Sequence, residues 1–201
     1  MKLIVITSEK DIRNEAQVLN SLFDEGLCAL HLRKPLASKE NVADLLADIK
    51  AQYHSKIVLH DCFELAKTFK VQGLHLNKRN SEFFDDVKLP LSKSCHSLIE
   101  LKDIAEFSYV FLSPIFNSIS KAGYLANFSH EDLLNAKNEG VINERVVALG
   151  GIDVSNLERL AEYGFGGAAV LGTLWSDYET SGDAIALMKR FNELMERCSA
   201  L

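Results

Sequence analysis

Short apolar runs with β-type composition alternate with segments of helical periodicity along the whole 201-residue chain. Eight such runs occur, namely Leu3–Thr7, Ala29–Arg33, Lys56–His60, Gly73–Asn77, Leu91–His96, Tyr109–Pro114, Val146–Gly150 and Ala168–Gly172. Their wealth of Leu, Ile and Val is typical of parallel strands that are buried on both faces. Eight β–α repeats favour a closed parallel (β/α)8 barrel over an open doubly wound sheet. The sequence therefore predicts the α/β class, with residues 1–201 forming a single TIM-barrel domain.

The segments between these runs have helical periodicity, because apolar residues recur three or four positions apart within them. In the first of them, Ala16, Leu19 and Leu22 would share one face of a helix. Each helix would return the chain to the start of the next parallel strand. The predicted helical segments are Glu15–Glu25, Val42–Ile49, Leu65–Phe69, Leu98–Ala105, Leu133–Lys137, Leu157–Tyr163 and Ala184–Met195.

The chain carries a net charge of −6, with 22 basic and 28 acidic residues interspersed. A nucleic-acid partner requires a basic face, so this balance argues against one. The apolar start of the chain, Met1–Thr7, is too short for a signal sequence or a membrane span. We therefore expect a soluble protein that binds small molecules and no membrane. The oligomeric state stays open, a homo-oligomer included.

The four cysteines, Cys28, Cys62, Cys95 and Cys198, lie far apart and lack the C-x-x-C spacing of a zinc site. Three of them are in or beside apolar runs, which is typical of buried free thiols. Free thiols persist in a reducing compartment, so we expect the protein in the cytoplasm.

Two glycine-containing turns stand where the seventh and eighth strands would end. Gly150 and Gly151 follow one apolar run, and Gly172 and Thr173 follow the next. Turns without bulky side chains expose backbone N–H groups, and a helix N-terminus adds its positive dipole. In (β/α)8 barrels the phosphate site usually lies after strands seven and eight. A simpler interpretation is that the glycines only end strands, but two such turns at this spacing favour a phosphate-binding cup.

Polar residues recur at the carboxyl ends of the predicted strands, where barrels of this type build their active sites. Four of the six histidines are among them, and the alternative is that some of these rings pack inside the barrel. Arg33 is placed to clamp a phosphate with its planar guanidinium, and Asp61 is the one carboxylate at a strand end. The strand-end residues are Thr7, His31, Arg33, His60, Asp61, His75, Asn77, Ser94, His96 and Ser113.

The connection that follows the sixth strand, Ser113–Tyr124, is long and contains Lys121. Long loops in compact domains are often functional. This one predicts a mobile cover over the mouth of the barrel.

Taken in order, the strand ends resemble the superfamily of thiamine phosphate synthase and its paralogue, the TenI-type thiazole tautomerase. Leu30–Pro35 resembles the Q/H-L-R-E-K segment of the family, which places Arg33 on its pyrophosphate-binding arginine. His60 and Asp61, followed by Gly73–Asn77, resemble its N-D…G-V-H-L-G-Q-x-D block. That match places Asp61 on a magnesium aspartate.

The resemblance continues into the second half of the chain and runs from residue 29 to residue 175. Ser94–His96 resembles an S-x-H segment whose serine touches pyrophosphate, and Ser113–Lys121 resembles a G-P-I-F-x-T-x-T-K lid. Ala148–Ile152 and Val170–Thr173 resemble the two turns that bind thiazole phosphate. Any one match is weak, and the ordered set indicates the superfamily.

The resemblance implies a role for each matched position. Catalysis is implied for Arg33, His96 and Lys121; contact with pyrophosphate or other substrate groups for His31, Arg33, His60, Ser94 and Lys121; contact with thiazole phosphate for Gly150, Gly151, Gly172 and Thr173; and metal binding for Asp61, with Asn80 as a further candidate.

The chain also departs from the synthase pattern. Pro35 stands where that pattern has a second cation, and Lys78 and Asn80 replace the glutamine and second aspartate of G-Q-x-D. His31 stands where synthases usually have glutamine and tautomerases often have histidine. These departures weaken the implied magnesium site.

Three functions are compatible with this pattern. A synthase would join hydroxymethylpyrimidine pyrophosphate to thiazole phosphate with Mg2+, mainly through electrostatic stabilisation of the departing pyrophosphate. A tautomerase would need no metal and would use His96 as its acid and base. A binding protein would keep only the phosphate cup. We favour the synthase because Asp61 and the Pro-Ile-Phe segment of the lid are kept.

Overall fold

A computed structural model describes residues 1–77, 79–80, 88–117 and 126–201. Eight parallel strands pair in chain order, and the eighth pairs with the first to close a barrel. The predicted (β/α)8 fold is therefore confirmed. The strands are β1 Lys2–Ile6, β2 Leu30–Leu32, β3 Ile57–Leu59, β4 Gly73–Leu76, β5 Leu91–Cys95, β6 Tyr109–Leu112, β7 Val146–Leu149 and β8 Gly167–Val170.

The described α-helices lie between strands or after the last one. They are α1 Glu15–Asp24, α2 Lys39–Asp48, α3 His130–Asn138, α4 Leu157–Glu162, α5 Gly172–Trp175, α6 Tyr178–Ser181 and α7 Ala184–Ala200. Several of the longer helices begin at side-chain caps, as where the hydroxyl of Ser129 accepts from the backbone N–H of Asp132 at 3.1 Å. Across the described ranges, no helix has the length and apolar character needed to cross a membrane.

Two predicted helices, Leu65–Phe69 and Leu98–Ala105, are instead single 3₁₀ turns at Phe63–Lys67 and Ile99–Lys102. These turns close with i to i+3 bonds, which are typical of short connecting segments. The backbone N–H of Leu65, for example, donates to the carbonyl of Cys62 at 3.0 Å. Leu65 and Leu101 are buried in these turns, whereas Ile99 is 77% exposed, and the predicted α-helix type is wrong in both segments.

The interior of the barrel is polar on one side and apolar on the other. Alternate residues of a strand point into a barrel, and Leu30 and Leu32 join the core between strands and helices. The ring of His31, between them, packs at 4.7 Å from the ring of Phe111, which belongs to the separate inner cluster. That inner cluster consists of Ile4, Ile6, Ala29, Phe111, Val147 and Ala169. The histidines of β2–β4 therefore face a wall built by β1, β6, β7 and β8.

A buried ion pair joins the turn after β2 to α1. The ammonium of Lys34 contacts a carboxylate oxygen of Glu15 at 2.7 Å and the carbonyl of Lys10 at 2.6 Å. The other carboxylate oxygen of Glu15 has no hydrogen-bond partner among the described residues. Burial raises the pKa of Glu15, and the nearby Lys34 opposes that rise.

We expect Lys34→Met to lower the free energy of unfolding by about 3–5 kcal/mol, because it leaves the buried Glu15 carboxylate without its counter-ion. Chemical denaturation measures this loss. The matched control is Lys50→Met, which removes an exposed lysine paired with Asp24 and is expected to lower stability far less, because solvent screens that pair. Equal losses in the two variants would contradict a structural role for the buried pair.

Candidate active site

A cavity of about 610 Å³ opens at the carboxyl ends of the strands. This is the end at which barrels of this class build their active sites. Charged and polar side chains from β2, β4 and β5 line one side of the cavity, and apolar side chains from β7 and β8 line the other. The lining residues are Ile6, Glu9, Arg33, His60, Asn77, Arg79, Ser94, His96, Glu100, Phe111, Ser113, Leu149 and Leu171.

The two glycine turns lie side by side at this rim, because β7 and β8 pair through Ala148 with Ala168 and Leu149 with Ala169. The hydroxyl of Thr173 donates to the carbonyl of Ile152 and so joins the two turns. Trp175 anchors the second turn through a 2.7 Å bond from its indole N–H to the carbonyl of Ile6. Hydrogen bonds therefore tie the two turns to each other and to the end of β1.

The backbone N–H groups of Gly150, Gly151, Gly172 and Thr173 have no acceptor within the part of the chain that the structure describes. Four unpartnered donors in two adjacent turns match the needs of a phosphate, which accepts hydrogen bonds from several directions. Gly150 and Gly151 adopt φ values of +101° and +65°, in the left-handed region that favours glycine. The residue types at these positions therefore follow from the conformation.

Space is a second requirement for glycine in the first turn. A Cβ built on Gly151 would lie 2.2 Å from the carbonyl oxygen of Asn117 and 2.8 Å from the carbonyl carbon of Phe116. The segment after β6 therefore packs directly on the turn. Any side chain at position 151 would force these two backbones apart.

Arg33 leaves the end of β2 and reaches the cavity. Its backbone N–H donates to the hydroxyl of Thr7 at 2.9 Å, and that hydroxyl donates to the Arg33 carbonyl at 3.1 Å. Its guanidinium forms an ion pair with Glu9. The backbone of Arg33 is thus fixed, while its side chain is partly exposed and holds donors suited to a phosphate group.

His96 follows β5 and is exposed at the mouth of the barrel. Its Nδ1 lies 3.1 Å from the carbonyl oxygen of Ser113 and 3.3 Å from the hydroxyl of the same residue, and the shorter contact, to a group that can only accept, favours a proton on Nδ1. In the neutral ring this leaves the lone pair on Nε2. The backbone N–H of His96 donates to Glu100 at 3.1 Å. The contacts with Ser113 and Glu100 therefore hold the ring and the backbone of His96 in place at the mouth of the barrel.

Asp61 lies just beyond β3, and donors surround its carboxylate. One oxygen accepts from the backbone N–H of Lys34 at 3.1 Å. The other accepts from the guanidinium of Arg79 at 3.3 Å and from the side-chain nitrogen of Asn80 at 3.0 Å. Asp61 and Asn80 are thus neighbours, and Asn80 faces Asp61 with its nitrogen.

A hydrogen-bonded chain of buried side chains lies beneath the cavity. The hydroxyl of Tyr109 is 2.5 Å from Nε2 of His31, and Nδ1 of His31 is 2.8 Å from Nε2 of His60. Because His60 lines the cavity, this chain connects the mouth of the barrel with its interior. His31 itself is completely buried.

A second chain runs beside the first. His75 is buried and bonds the hydroxyls of Ser92 at 2.8 Å and Ser94 at 2.9 Å through its two ring nitrogens. Its ring stacks on that of His60, with centroids 4.1 Å apart. Ser94 lines the cavity, and Ser92 borders a further cavity of about 570 Å³ at the opposite end of the barrel. The histidines therefore position one another and the two serines.

Burial lowers the pKa of His31 and His60 well below the usual range, and it lowers the pKa of His75 to about 3. A positive charge on His75 would lower the pKa of His31 and of His60 further, and the charge of Arg33 adds to the lowering of the His75 pKa. Burial also raises the pKa of Tyr109 to about 12. All four side chains are therefore uncharged at neutral pH.

The structure brings together most of the residues that the sequence singled out. Arg33, His60, Ser94 and His96 line one cavity, and the glycine turns stand at the same rim. His31 lies below the cavity, against His60. Lys121 and the rest of 118–125 lie outside the described residues, as does Lys78.

Sequence analysis missed Arg79, which lines the cavity and pairs with Asp61. Its position is the variable x of the G-Q-x-D pattern, so the motif gave no reason to weigh it. The signal that could have found it is chemical. In this chain a cation, Arg79, stands next to Asn80, which occupies the position of the second aspartate of the G-Q-x-D pattern.

A parallel barrel with free amides at two adjacent strand ends, and with a cavity beside them that two arginines and two histidines line, defines a class of enzyme that acts on phosphorylated small molecules. The chain belongs to the thiamine monophosphate synthase family, whose sequence model matches residues 3–174.

Individual relatives are consistent with this family. The crystal structure of thiamine phosphate pyrophosphorylase from Bacteroides thetaiotaomicron is similar to this fold, with a TM-score of 0.90. The two sequences are 37% identical, and the comparison covers 99% of this chain and 98% of that one. It is 25% identical over 199 residues to thiamine-phosphate synthase of Levilactobacillus brevis, covering 92% of this chain and 89% of that protein. It is 24% identical over 205 residues to the synthase of Clostridium tetani, covering 94% and 96%.

Proposed function

We propose that the protein is a thiamine-phosphate synthase, which joins hydroxymethylpyrimidine pyrophosphate to thiazole phosphate and releases pyrophosphate. The observation that carries the proposal is the arrangement of the cavity. Free amides of the glycine turns follow Leu149 and Leu171, which line the cavity, and Arg33 and Ser94 line it as well. One substrate carries a phosphate and the other a pyrophosphate, so each group of donors has an anion to bind. Membership of the family supports the same reaction.

The reaction exchanges one bond for another. The C–O bond between the pyrimidine methylene and pyrophosphate breaks, and its electron pair leaves with the pyrophosphate. The lone pair of the thiazole nitrogen then forms the new C–N bond. Negative charge accumulates on the leaving group, so donors and cations directed at it lower the barrier most. Arg33 and Ser94 are placed for this work, and the family resemblance adds Lys121.

The synthase resemblance also implies Mg2+, which takes six oxygen ligands in a regular octahedron. Asp61 offers a carboxylate, but its oxygens already accept hydrogen bonds from Lys34, Arg79 and Asn80. Asn80 offers this carboxylate a nitrogen and no oxygen. The residues present do not fit a preformed magnesium site, and we assign no step to the metal.

A TenI-type tautomerase is the second candidate, and the geometry of His96 favours it. That reaction moves a proton on a thiazole carboxylate phosphate, and the phosphate cup would hold the same group. The tautomer in which Nδ1 of His96 donates to the carbonyl of Ser113 leaves Nε2 to accept the proton. The two candidates therefore share a phosphate site and differ in which side chain carries the chemistry.

The proposed ligands of both reactions are small phosphorylated molecules. The four cysteines are free thiols, which supports a reducing, cytoplasmic setting for either reaction.

We expect Arg33→Met to lower the rate of thiamine phosphate formation about 100- to 1000-fold, since it removes a donor aimed at the leaving group. His96→Ala should lower that rate less than about tenfold, because the condensation transfers no proton. The measurement is thiamine phosphate formed by purified protein from both substrates, in parallel with tautomerisation of the thiazole carboxylate phosphate. Arg197→Met, which removes a cation on the surface of α7, is the control and should retain full activity.

The reverse order would overturn the synthase. If the wild type isomerises the thiazole, and if His96→Ala abolishes that activity while Arg33→Met is mild, then the protein is a tautomerase. If the wild type is inactive with both substrate sets and thiazole phosphate still raises its melting temperature, then the protein only binds.

A further inference from the structure

We propose that the guanidinium of Arg79 takes the place of a divalent cation in this site, so that the protein binds pyrophosphate without a metal. The inference rests on the proposed function, because it concerns the pyrophosphate side of the same cavity. It is carried by the surroundings of Asp61, by the orientation of Asn80 and by the turn that presents Arg79.

The hydrogen bonds that the Asp61 carboxylate accepts suit Arg79 as its cationic partner better than they suit a metal ion. Its side chain is 11% exposed, and each of its oxygens accepts at least one hydrogen bond. A magnesium ion would have to displace the guanidinium of Arg79 or the amide of Asn80 to reach it. Displacing these donors would set a second positive charge beside Arg79.

The orientation of the Asn80 side chain follows from its neighbours. Its nitrogen lies 2.9 Å from the carbonyl oxygen of His60 and 3.0 Å from a carboxylate oxygen of Asp61. Both neighbours can only accept, so the group that faces them must be the NH2. Turning the amide over would place three oxygens together. Asn80 therefore cannot join Asp61 as an oxygen ligand without rebuilding the turn.

The turn after β4 is built to present Arg79. The side-chain oxygen of Asn77 accepts from the backbone N–H of Arg79 at 2.9 Å and from that of Asn80 at 3.2 Å. The side-chain nitrogen of Asn77 donates to the carbonyl of His60 at 3.2 Å. Asn77 thus fixes the backbone of the turn after β4 and ties it to His60, which follows β3. Arg79 leaves this turn with its side chain 46% exposed and lining the cavity.

Other carboxylates at the mouth are already engaged. Glu9 pairs with Arg33, and Glu100 accepts from the backbone N–H of His96 and the hydroxyl of Ser97. Within the described ranges, the one group of three or more His, Cys, Asp or Glu residues close enough to share an ion is the buried set of three histidines below the cavity. Imidazole is a poor ligand for magnesium, which prefers oxygen.

The charges also balance. Two carboxylates and one divalent cation have a net charge of zero, and so has the pair of Asp61 and Arg79. A guanidinium has five N–H donors in a planar fork, so Arg79 can bind Asp61 through one edge and a phosphate group through the other. Asp61 is then a positioning residue, and Arg79 and Arg33 provide two cationic contacts for pyrophosphate at the same cavity.

The test is calorimetric titration of inorganic pyrophosphate into the full-length protein, once in EDTA and once in Mg2+. We expect binding in EDTA, a change of less than about threefold on adding Mg2+, and at least tenfold weaker binding in EDTA for Arg79→Gln. Arg197→Gln, on α7, is the matched control and should bind as the wild type does. The double variant Arg79→Gln/Asn80→Asp restores the second carboxylate, and it should regain affinity at least tenfold when Mg2+ is added.

Two results would overturn the inference. One is a wild type that binds pyrophosphate at least tenfold more tightly with Mg2+ than in EDTA. The other is Arg79→Gln binding as tightly as the wild type in EDTA. Thiamine phosphate formation that requires Mg2+ would sink the metal-free site and leave the synthase standing. Metal-free pyrophosphate binding without any condensation would sink the synthase and keep the role of Arg79.

Discussion

Below pH 6.5 we expect the free energy of unfolding to fall by up to about 4 kcal/mol per pH unit, because three buried histidines resist protonation. Burial depresses the pKa of His31, His60 and His75 in the folded protein, in His75 to about 3. In the unfolded chain each imidazole takes up a proton near pH 6.5. The unfolded state therefore binds more protons between these limits, and stability is lost as the pH falls through this window.

The measurement is urea denaturation at pH 7, 6, 5.5 and 5. A total loss of about 6 kcal/mol by pH 5 follows if all three rings stay neutral in the folded state, which approaches the whole stability of an ordinary domain. His75→Asn should reduce the slope by about one third. The control is His130→Asn, which removes an exposed histidine on α3 and should leave the slope unchanged. A flat profile from pH 7 to 5 would contradict neutral buried histidines.

Gly151→Val should weaken binding of thiazole phosphate about 100-fold, a loss of about 2.7 kcal/mol. The new side chain cannot fit against the backbone of residues 116–117, so the turn must shift and carry its free amides out of place. Calorimetric titration with thiazole phosphate measures the affinity, and circular dichroism reports whether the barrel persists.

The matched control for this variant is Gly182→Val. Gly182 has the same φ of +65° as Gly151, but no other part of the described chain lies within 4 Å of the position that a Cβ would take there. Both variants therefore suffer similar backbone strain of about 1–3 kcal/mol, and only Gly151→Val displaces the turn. Unchanged phosphate affinity in a folded Gly151→Val protein would show that the cup lies elsewhere.

The strand pattern predicted the barrel well for a physical reason. Parallel strands buried on both faces must be apolar on both faces. Each strand is therefore a short apolar run in the sequence, such as Val146–Leu149, with polar turns on either side. The rim could be predicted too, since all carboxyl ends of a parallel barrel meet at one edge. The 3₁₀ turns escaped prediction because apolar spacing over five to eight residues does not distinguish i+3 from i+4 bonding.

The partners of the buried histidines could not be predicted from the spacing of residues in the sequence. The alternation Leu30-His31-Leu32 placed the ring opposite two core leucines, but it could not tell a ring that reaches substrate from one bonded to Tyr109. Its partners come from β3 and β6, and only the register of the closed barrel brings them together. Arg79 escaped for a similar reason, because its partner Asp61 belongs to the preceding strand end.

Phosphorus NMR of one reaction mixture tests the central claim most directly. Purified protein is mixed with hydroxymethylpyrimidine pyrophosphate and thiazole phosphate, and the signals of both substrates and of free pyrophosphate are followed over time. A synthase converts the two substrates together and releases one pyrophosphate for each thiamine phosphate formed. Pyrophosphate that fails to appear, or that appears without thiamine phosphate, would contradict the proposed function.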